Sequence, residues 1–259
     1  MNRDSINNDY LWCKKKLLLM HAKSKVGHIG GNLSCLAGLC AVIARLRKQD
    51  RFILSKGHSA GALYVVLANA GLIQEEELET FHKDNTRLPG HPPANIFESI
   101  PFATGSLGHG LSLAAGFALS QTLRRNDSKT YCLTSDGEWQ EGSTWEALIF
   151  ACHRQLKNLT IIIDHNGLQG FGSTSAVASM SPLWERIKGF DIDITVIDGH
   201  DPKTIADELD KPQKKIRAIF LRTIKGKGIP GMEGEMHSHY LPITDEQYKQ
   251  ALSDLENSL

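Results

Sequence analysis

Two short turns carry the densest chemistry in this 259-residue chain. Asp136, in Ser135–Asp136–Gly137, offers a carboxylate. Asn166, in Asp164–His165–Asn166–Gly167, offers a side-chain carbonyl, and Leu168 a backbone carbonyl. All three are hard oxygens, suited to Mg²⁺ and also to Ca²⁺ or Mn²⁺. Magnesium held by so few protein groups completes its shell with phosphate oxygens of a substrate or cofactor. Gly137 and Gly167 let the backbone come close to such a group. The expected ligand is a metal-bridged diphosphate. A strand ending in Asp–Gly is also ordinary α/β punctuation, so the weight rests on the second turn and on what flanks the pair.

What flanks it is a set of Gly–His loops. His28 lies in Gly27–His28–Ile29–Gly30–Gly31, His58 in Ser55–Lys56–Gly57–His58, His91 in Leu88–Pro89–Gly90–His91, and His109 in Ser106–Leu107–Gly108–His109. One such loop is a surface turn. Four within some eighty residues, each beside an expected element end, are hard to assign to surface turns alone.

The elements that must position these loops read as follows. Apolar spacing predicts a helix from about Asn8 to Lys23, a second from Asn32 or Ser34 to about Leu46, and a small-residue helix from about Ser59. Short strands are expected at Phe52–Leu54, Tyr131–Leu133 and Leu159–Ile163. Helices are expected at Leu111–Leu123 and from about Gly142 to Gln155. The remainder alternates: helix Leu183–Lys188, strand Ile194–Asp198, helix Pro202–Leu209, strand Ile216–Thr223. A polar helix capped by Thr244 runs to about Asn257. This order implies an α/β fold, a doubly wound, mostly parallel sheet with helices on both faces, in one domain over 1–259. A parallel sheet places the Asp136 and Asn166 turns at its carboxyl edge, where such sheets bind ligands.

Composition excludes other classes. Hydrophobic residues make up 41% and charged residues 22%, and the net charge is zero with no long basic run, which argues against nucleic acid or an anionic membrane as partner. The apolar runs are too short to span a bilayer, and the polar start, MNRDSINNDY, is unlike a leader. Five scattered cysteines without a CxxC pair read as buried thiols of a reducing, cytoplasmic setting. Gly226–Lys–Gly228–Ile–Pro–Gly231 spells GxGxxG after a strand, but no helix follows to receive a phosphate, so it is rejected as a dinucleotide motif.

The spelling SDGEWQEG…DHNGLQGFG resembles the thiamine-diphosphate signature of the transketolase family. GHIGGNLS, RFILSKGHSAGALY, LPGHP and ATGSLGHGLSLAAGFAL resemble that family's amino-terminal third, and the likeness covers nearly the whole chain. It implies thiamine diphosphate with a divalent ion held by Asp136, Asn166 and Leu168. It makes His28, His58 and His91 active-site histidines, and places Gly105, Ser106, Leu107, Gly137 and Glu138 around the cofactor. His239, or failing it His237, would stand near the cofactor phosphates; a zinc pair formed by these two is the rival reading, without a third ligand nearby. Glu141 would meet a partner glutamate across an interface, or else be a first-turn carboxylate favoured by the helix dipole.

The family's pyrimidine-binding and carboxyl-terminal domains are not in these 259 residues. The resemblance therefore implies one subunit of a split transketolase, paired as a heterotetramer with a separate chain carrying those domains. Its implied reaction moves a two-carbon ketol unit from a ketose, or ketose phosphate, to an aldose. Departures are Ser135 for the usual glycine, His109 for the usual glutamine, and a connection before Arg51 about a dozen residues shorter than expected. Alternatives are an α subunit of a 2-oxoacid dehydrogenase, which would lack the SKGHS and LPGHP loops, a non-catalytic scaffold, and a zinc hydrolase.

Overall fold

Runs of β-branched and aliphatic residues become five strands in the computed structural model, which describes residues 6–257. They are β1 (Arg51–Leu54), β2 (Thr130–Ser135), β3 (Leu159–His165), β6 (Ile192–Asp198) and β7 (Ile216–Arg222). Their order is β1-β2-β3-β7-β6 and every pairing is parallel. A two-stranded hairpin, β4 (Leu168–Gln169) with β5 (Gly172–Ser173), stands apart from this sheet. Residues 1–5 and 258–259 of the expected domain, with half of the polar start, lie outside the described residues.

Side chains alternate along each strand, so each strand feeds two cores. Phe52, Leu54, Tyr131, Leu133, Ile162, Ile219 and Leu221 face one layer. It contains α1 (Ile6–Ser24), α2 (Ile29–Ile43), α3 (Ala60–Asn69) and α8 (Pro202–Asp210). Ile53, Cys132, Ile161, Ile163, Ala218 and Phe220 face the other, with α4 (Gly110–Leu123), α5 (Gly142–His153) and α7 (Leu183–Ile187). Burial on both faces explains why these strands read as continuous apolar runs. The short α6 (Thr174–Ala178) follows the hairpin, and α9 (Asp245–Asn257) closes the described chain. Thr244 caps α9 as expected: Gln247 N–H donates to Thr244 Oγ1 at 3.1 Å and Thr244 N–H to Gln247 Oε1 at 3.0 Å, a reciprocal capping box.

The structure corrects several boundaries. α2 begins at Ile29, so Gly30 and Gly31, read as loop, lie inside the helix. A Cβ at Gly30 would come within 2.7 Å of Ser238 Cβ, so the glycine serves close packing within a helix. The same helix ends at Ile43 rather than near Leu46, where Arg45 and Leu46 turn back onto Val42 and Ile43. Strands β2 and β3 run two residues further at their carboxyl ends than expected because Ser135 still pairs with Asp164, and Asp164 with Leu221. After β7, the segment spelling GxGxxG forms turns rather than a helix N-terminus. All five cysteines are free and four are buried; Cys152 is partly exposed. No helix among the described residues is long and apolar enough to cross a membrane.

Candidate active site

The two oxygen-bearing turns meet because β2 and β3 are neighbours. Asp136 N–H donates to Asp164 O at 3.0 Å, carrying the pairing one step past the strand. The Asp136 carboxylate then accepts from Gly137 N–H at 2.8 Å and Gly167 N–H at 2.6 Å, which binds one turn to the other. A Cβ on Gly137 would approach Gln169 Cβ to 2.7 Å, so only glycine lets the turns close this far. Asn166 Oδ1 accepts from Leu168 N–H at 3.0 Å.

Beside these turns opens a cleft of about 300 Å³. Of the residues singled out from sequence, His28, His58, His91, Gly105, Leu107, Asn166, Leu168 and His239 line it. His28 sits at φ 68° just before α2. Its ring centroid lies 5.7 Å from that of His58, 5.9 Å from His91 and 5.0 Å from His239. Three Gly–His loops distant in sequence thus converge, and the 236–240 segment supplies the fourth imidazole. His239, not His237, is the one that lines the cleft. Gly105 packs so closely under His91 that a Cβ would come within 2.8 Å of its Cδ2. His109 and Ser106 instead line a separate hollow beside this cleft.

Asp136 and Gly137 lie below the cleft floor, and Asp136 is only 3% exposed. Glu138 departs from expectation: it is fully buried, and its side chain turns away from the cleft. Its carboxylate accepts from Ser55 Oγ, from Gly108 N–H at 2.8 Å and from Ser135 N–H at 3.3 Å. It therefore braces the turns that carry His58, Leu107 and Asp136. Glu141 is exposed at the start of α5, and its side chain makes no capping bond.

Sequence reasoning passed over the polar network at the cleft floor. Lys56 and Asp164 are both essentially fully buried and form an ion pair. Lys56 Nζ also donates to Gly31 O at 3.1 Å. Asp164 further accepts from Ser34 Oγ and Thr223 Oγ1, each at 2.5 Å. Lys225 lines the cleft and donates to His239 Nδ1 at 3.0 Å. The only signal for the pair was a lysine at the end of an apolar strand, which needs a counter-charge if it is buried.

Burial sets the electrostatics. It pushes Asp136 up to about 7, with the negative charge of Asp164 adding to the effect. Burial opposes charge on Lys56 and Asp164 too, yet mutual attraction keeps Lys56 above and Asp164 below its ordinary value. Burial, then the positive charge of Lys56, lowers Lys225 to about 8. His28 falls to about 4 through burial and the neighbouring His91, and His239 to about 3 through burial and Lys225. His58 is also lowered, by burial and Lys56. These three imidazoles are neutral near pH 7, each able to donate and accept a hydrogen bond.

The sequence matches the profile of the transketolase, thiamine diphosphate binding domain over residues 42–256. The chain belongs to the transketolase family. It is 38% identical over 259 residues to an apulose-4-phosphate transketolase subunit from Phocaeicola vulgatus, covering 95% of this chain and 92% of that protein. It is 37% identical over 247 residues to the 6-deoxy-6-sulfo-D-fructose transketolase subunit of a Clostridium species, covering 90% of each. Its fold superposes on transketolase from Campylobacter jejuni with a TM-score of 0.86 at 28% identity, covering 99% of this chain and 43% of that one. The chain therefore spans less than half of that transketolase, but most of the two subunits.

Two larger hollows lie elsewhere. One of about 380 Å³, between α1 and residues 75–83, is edged by the ion pairs Lys16–Glu75 and Lys23–Glu79. The other, of about 610 Å³, runs beside the start of β1. Neither shares a residue with the Gly–His cleft.

Proposed function

We propose that this chain, as a single diphosphate-binding domain, is one subunit of a split transketolase. It acts with a separate chain carrying the pyrimidine-binding and carboxyl-terminal domains, in a heterotetramer. The observation that carries this reading is the convergence of the Asp136 and Asn166 turns beside a cleft lined by four histidines. Both similar proteins, from Phocaeicola vulgatus and Clostridium, are named as transketolase subunits, which supports the partner.

The donor set suits a divalent ion. Asp136 is buried, and its only neighbour at ion-pair distance among the described residues is His165 Nδ1 at 3.4 Å. Burial lowers the proton affinity of His165, so that ring brings no positive charge near pH 7. A cation is what this carboxylate lacks. Asp136, Asn166 Oδ1 and the Leu168 carbonyl would hold Mg²⁺, or Ca²⁺ or Mn²⁺, with diphosphate oxygens completing the shell.

Thiamine diphosphate, when bound, supplies the electron sink for breaking and making a carbon–carbon bond beside a carbonyl. The protein supplies position and proton traffic. Gly105, Ser106, Leu107 and Gly137 would offer backbone to the cofactor, and His58, Lys225 and His239, which line the cleft with Gly105 and Leu107, would stand near it. His28, His58 and His91, of which the first two are held neutral by burial, exchange protons with the hydroxyls of a ketose donor and an aldose acceptor. Glu141, exposed, meets the partner chain. The reaction is transfer of a two-carbon ketol unit.

Calorimetric titration of thiamine diphosphate with Mg²⁺, into this chain alone and mixed with its partner, tests the reading. Micromolar binding with the partner, lost in Asp136→Ala and Asn166→Ala, is expected. No heat with wild-type chain and partner together would sink it.

A further inference from the structure

The geometry points to Ser34 and Asp164 as positioning residues that fix which end of the Asn166 side chain faces the ion. This deepens the proposed function, since it rests on Asn166 being an ion ligand. Asn166 Nδ2 lies 3.0 Å from Ser34 Oγ and 3.3 Å from Asp164 Oδ2, while Oδ1 faces Leu168 N–H at 3.0 Å.

Counting protons decides the orientation. Asp164, paired with Lys56, is a carboxylate and can only accept. The single Ser34 hydroxyl proton goes to that carboxylate at 2.5 Å, so the Ser34 oxygen presents a lone pair to Asn166. Both groups facing the amide are therefore acceptors. Only its NH₂ end can face them; a flipped amide would set carbonyl oxygen against carboxylate oxygen.

The consequence runs outward. With nitrogen held beneath the floor, the amide oxygen is committed to the cleft side before any ion arrives. Asp164 can do this because its own position is overdetermined by α2 through Ser34, by the β1 turn through Lys56, and by the end of β7 through Thr223. Groups behind a metal ligand that orient it typically change metal affinity 10- to 100-fold when removed.

Thr223 supplies the control. It donates to the same Asp164 carboxylate and touches Ser34 at 3.1 Å, but has no bond to Asn166. Thr223→Val keeps its shape and loses these bonds; Ser34→Ala removes the nearer of the two acceptors facing the amide. Two readouts follow. The first is the Asn166 side-chain amide signal in the NMR spectrum of the ligand-free chain, identified by its loss in Asn166→Asp. The second is Mn²⁺ titration with thiamine diphosphate present, with the partner chain, followed by water proton relaxation.

Ser34→Ala is expected to shift the amide signal, speed its solvent exchange, and weaken Mn²⁺ roughly 10- to 100-fold. Thr223→Val is expected to keep the signal and change affinity less than about threefold, below the range for a lost orienting group. Ser34→Thr, which keeps the hydroxyl, is expected to restore the signal where it folds. An unchanged signal in Ser34→Ala, or equal losses in Ser34→Ala and Thr223→Val, would overturn the assignment. Should the wild-type chain bind no Mn²⁺, the ion-binding reading fails, and the amide signal alone still decides the orientation.

Discussion

Asp50 and Asp136 flank neighbouring strands at opposite edges of the sheet, and each is only 3% exposed. Asp50, just before β1, is saturated. Its carboxylate accepts from Arg47 N–H, Nε and Nη2 at 2.9–3.0 Å and from Lys129 N–H at 2.8 Å. Asp136, just after β2, accepts from two backbone N–H groups and, among the described residues, has only the His165 ring, kept neutral by burial, at ion-pair distance. Equal burial with unequal satisfaction separates a carboxylate that holds the fold from one that, on the proposed function, receives an ion. A buried charge without a partner is costly and persists where function requires it.

Removing each group in turn tells the two carboxylates apart. Asp136→Ala is expected to weaken thiamine diphosphate with Mg²⁺ at least about a hundredfold by calorimetry, by losing the one charged ligand of a site that needs hard oxygens. Its thermal stability should hold or rise, since a poorly compensated buried carboxylate goes with it. If Asp136→Ala binds cofactor like the wild type while Asp50→Asn does not, the assignment of the two edges is reversed.

Lys56 probes the boundary between the two kinds of residue. It lines the cleft yet is buried and paired like a structural group. Lys56→Met should leave Asp164 charged, buried and without its ammonium, costing about 3–5 kcal/mol in denaturant unfolding. Adding Asp164→Asn should recover part of that loss, because the stranded charge is then gone. A cost below about 1 kcal/mol for Lys56→Met, the value of a surface pair, would mean that water reaches the pair.

How much of this was legible follows from sequence distance. The alternation of strands and helices, the meeting of Asp136 with Asn166, and the Gly–His loops could be read because each is spelled in one stretch, and the parallel order then brings the stretches to one edge. The Asp164 network could not. Ser34, Lys56, Asp164 and Thr223 come from four distant segments, and a lysine in Ser–Lys–Gly–His reads locally as a surface residue. Glu138 misled through its position. Next to Asp136 it looks like a cofactor contact, but the 3₁₀ turn Gly137–Gln140 directs its side chain inward to Ser55 and Gly108. Gly30 and Gly31 read as loop because glycine is a poor helix former, and close packing against Ser238 and His58 overrode that preference.

A smaller effect is expected at the saturated edge. Asp50→Asn keeps the shape but weakens the charged bonds to Arg47 and leaves an amide NH₂ facing donors, a cost of about 2 kcal/mol in unfolding free energy. Arg47 is partly exposed and also paired with Asp127 at 2.8 Å, so water and that partner limit the loss. Cofactor affinity should not change. A tenfold drop would show that the amino edge communicates with the cleft.

The finest test is pH, because the two sets of buried groups at the cleft pull in opposite directions. Asp136 titrates near 7 in the fold against an ordinary value of 3.8, owing first to burial. Between those values the folded chain holds a proton that the unfolded chain has lost, so this contribution to stability is present at low pH and fades as pH rises through 7. His28 and His239 run the other way. With folded values of about 4 and 3 against 6.5, the unfolded chain takes up their protons first, so stability falls as pH drops below 6.5. A divalent ion held at Asp136, as proposed, would separate the two, since it would bind the carboxylate and displace its proton. Mg²⁺ affinity should therefore be flat above about pH 7.5 and fall by up to about tenfold per unit below 7. Added Mg²⁺ should raise the melting temperature more at pH 8 than at pH 6, and lose this pH dependence in Asp136→Asn but not in Asp50→Asn. Equal stabilisation by Mg²⁺ at both pH values in the wild type would mean that the buried carboxylate is not where the ion binds.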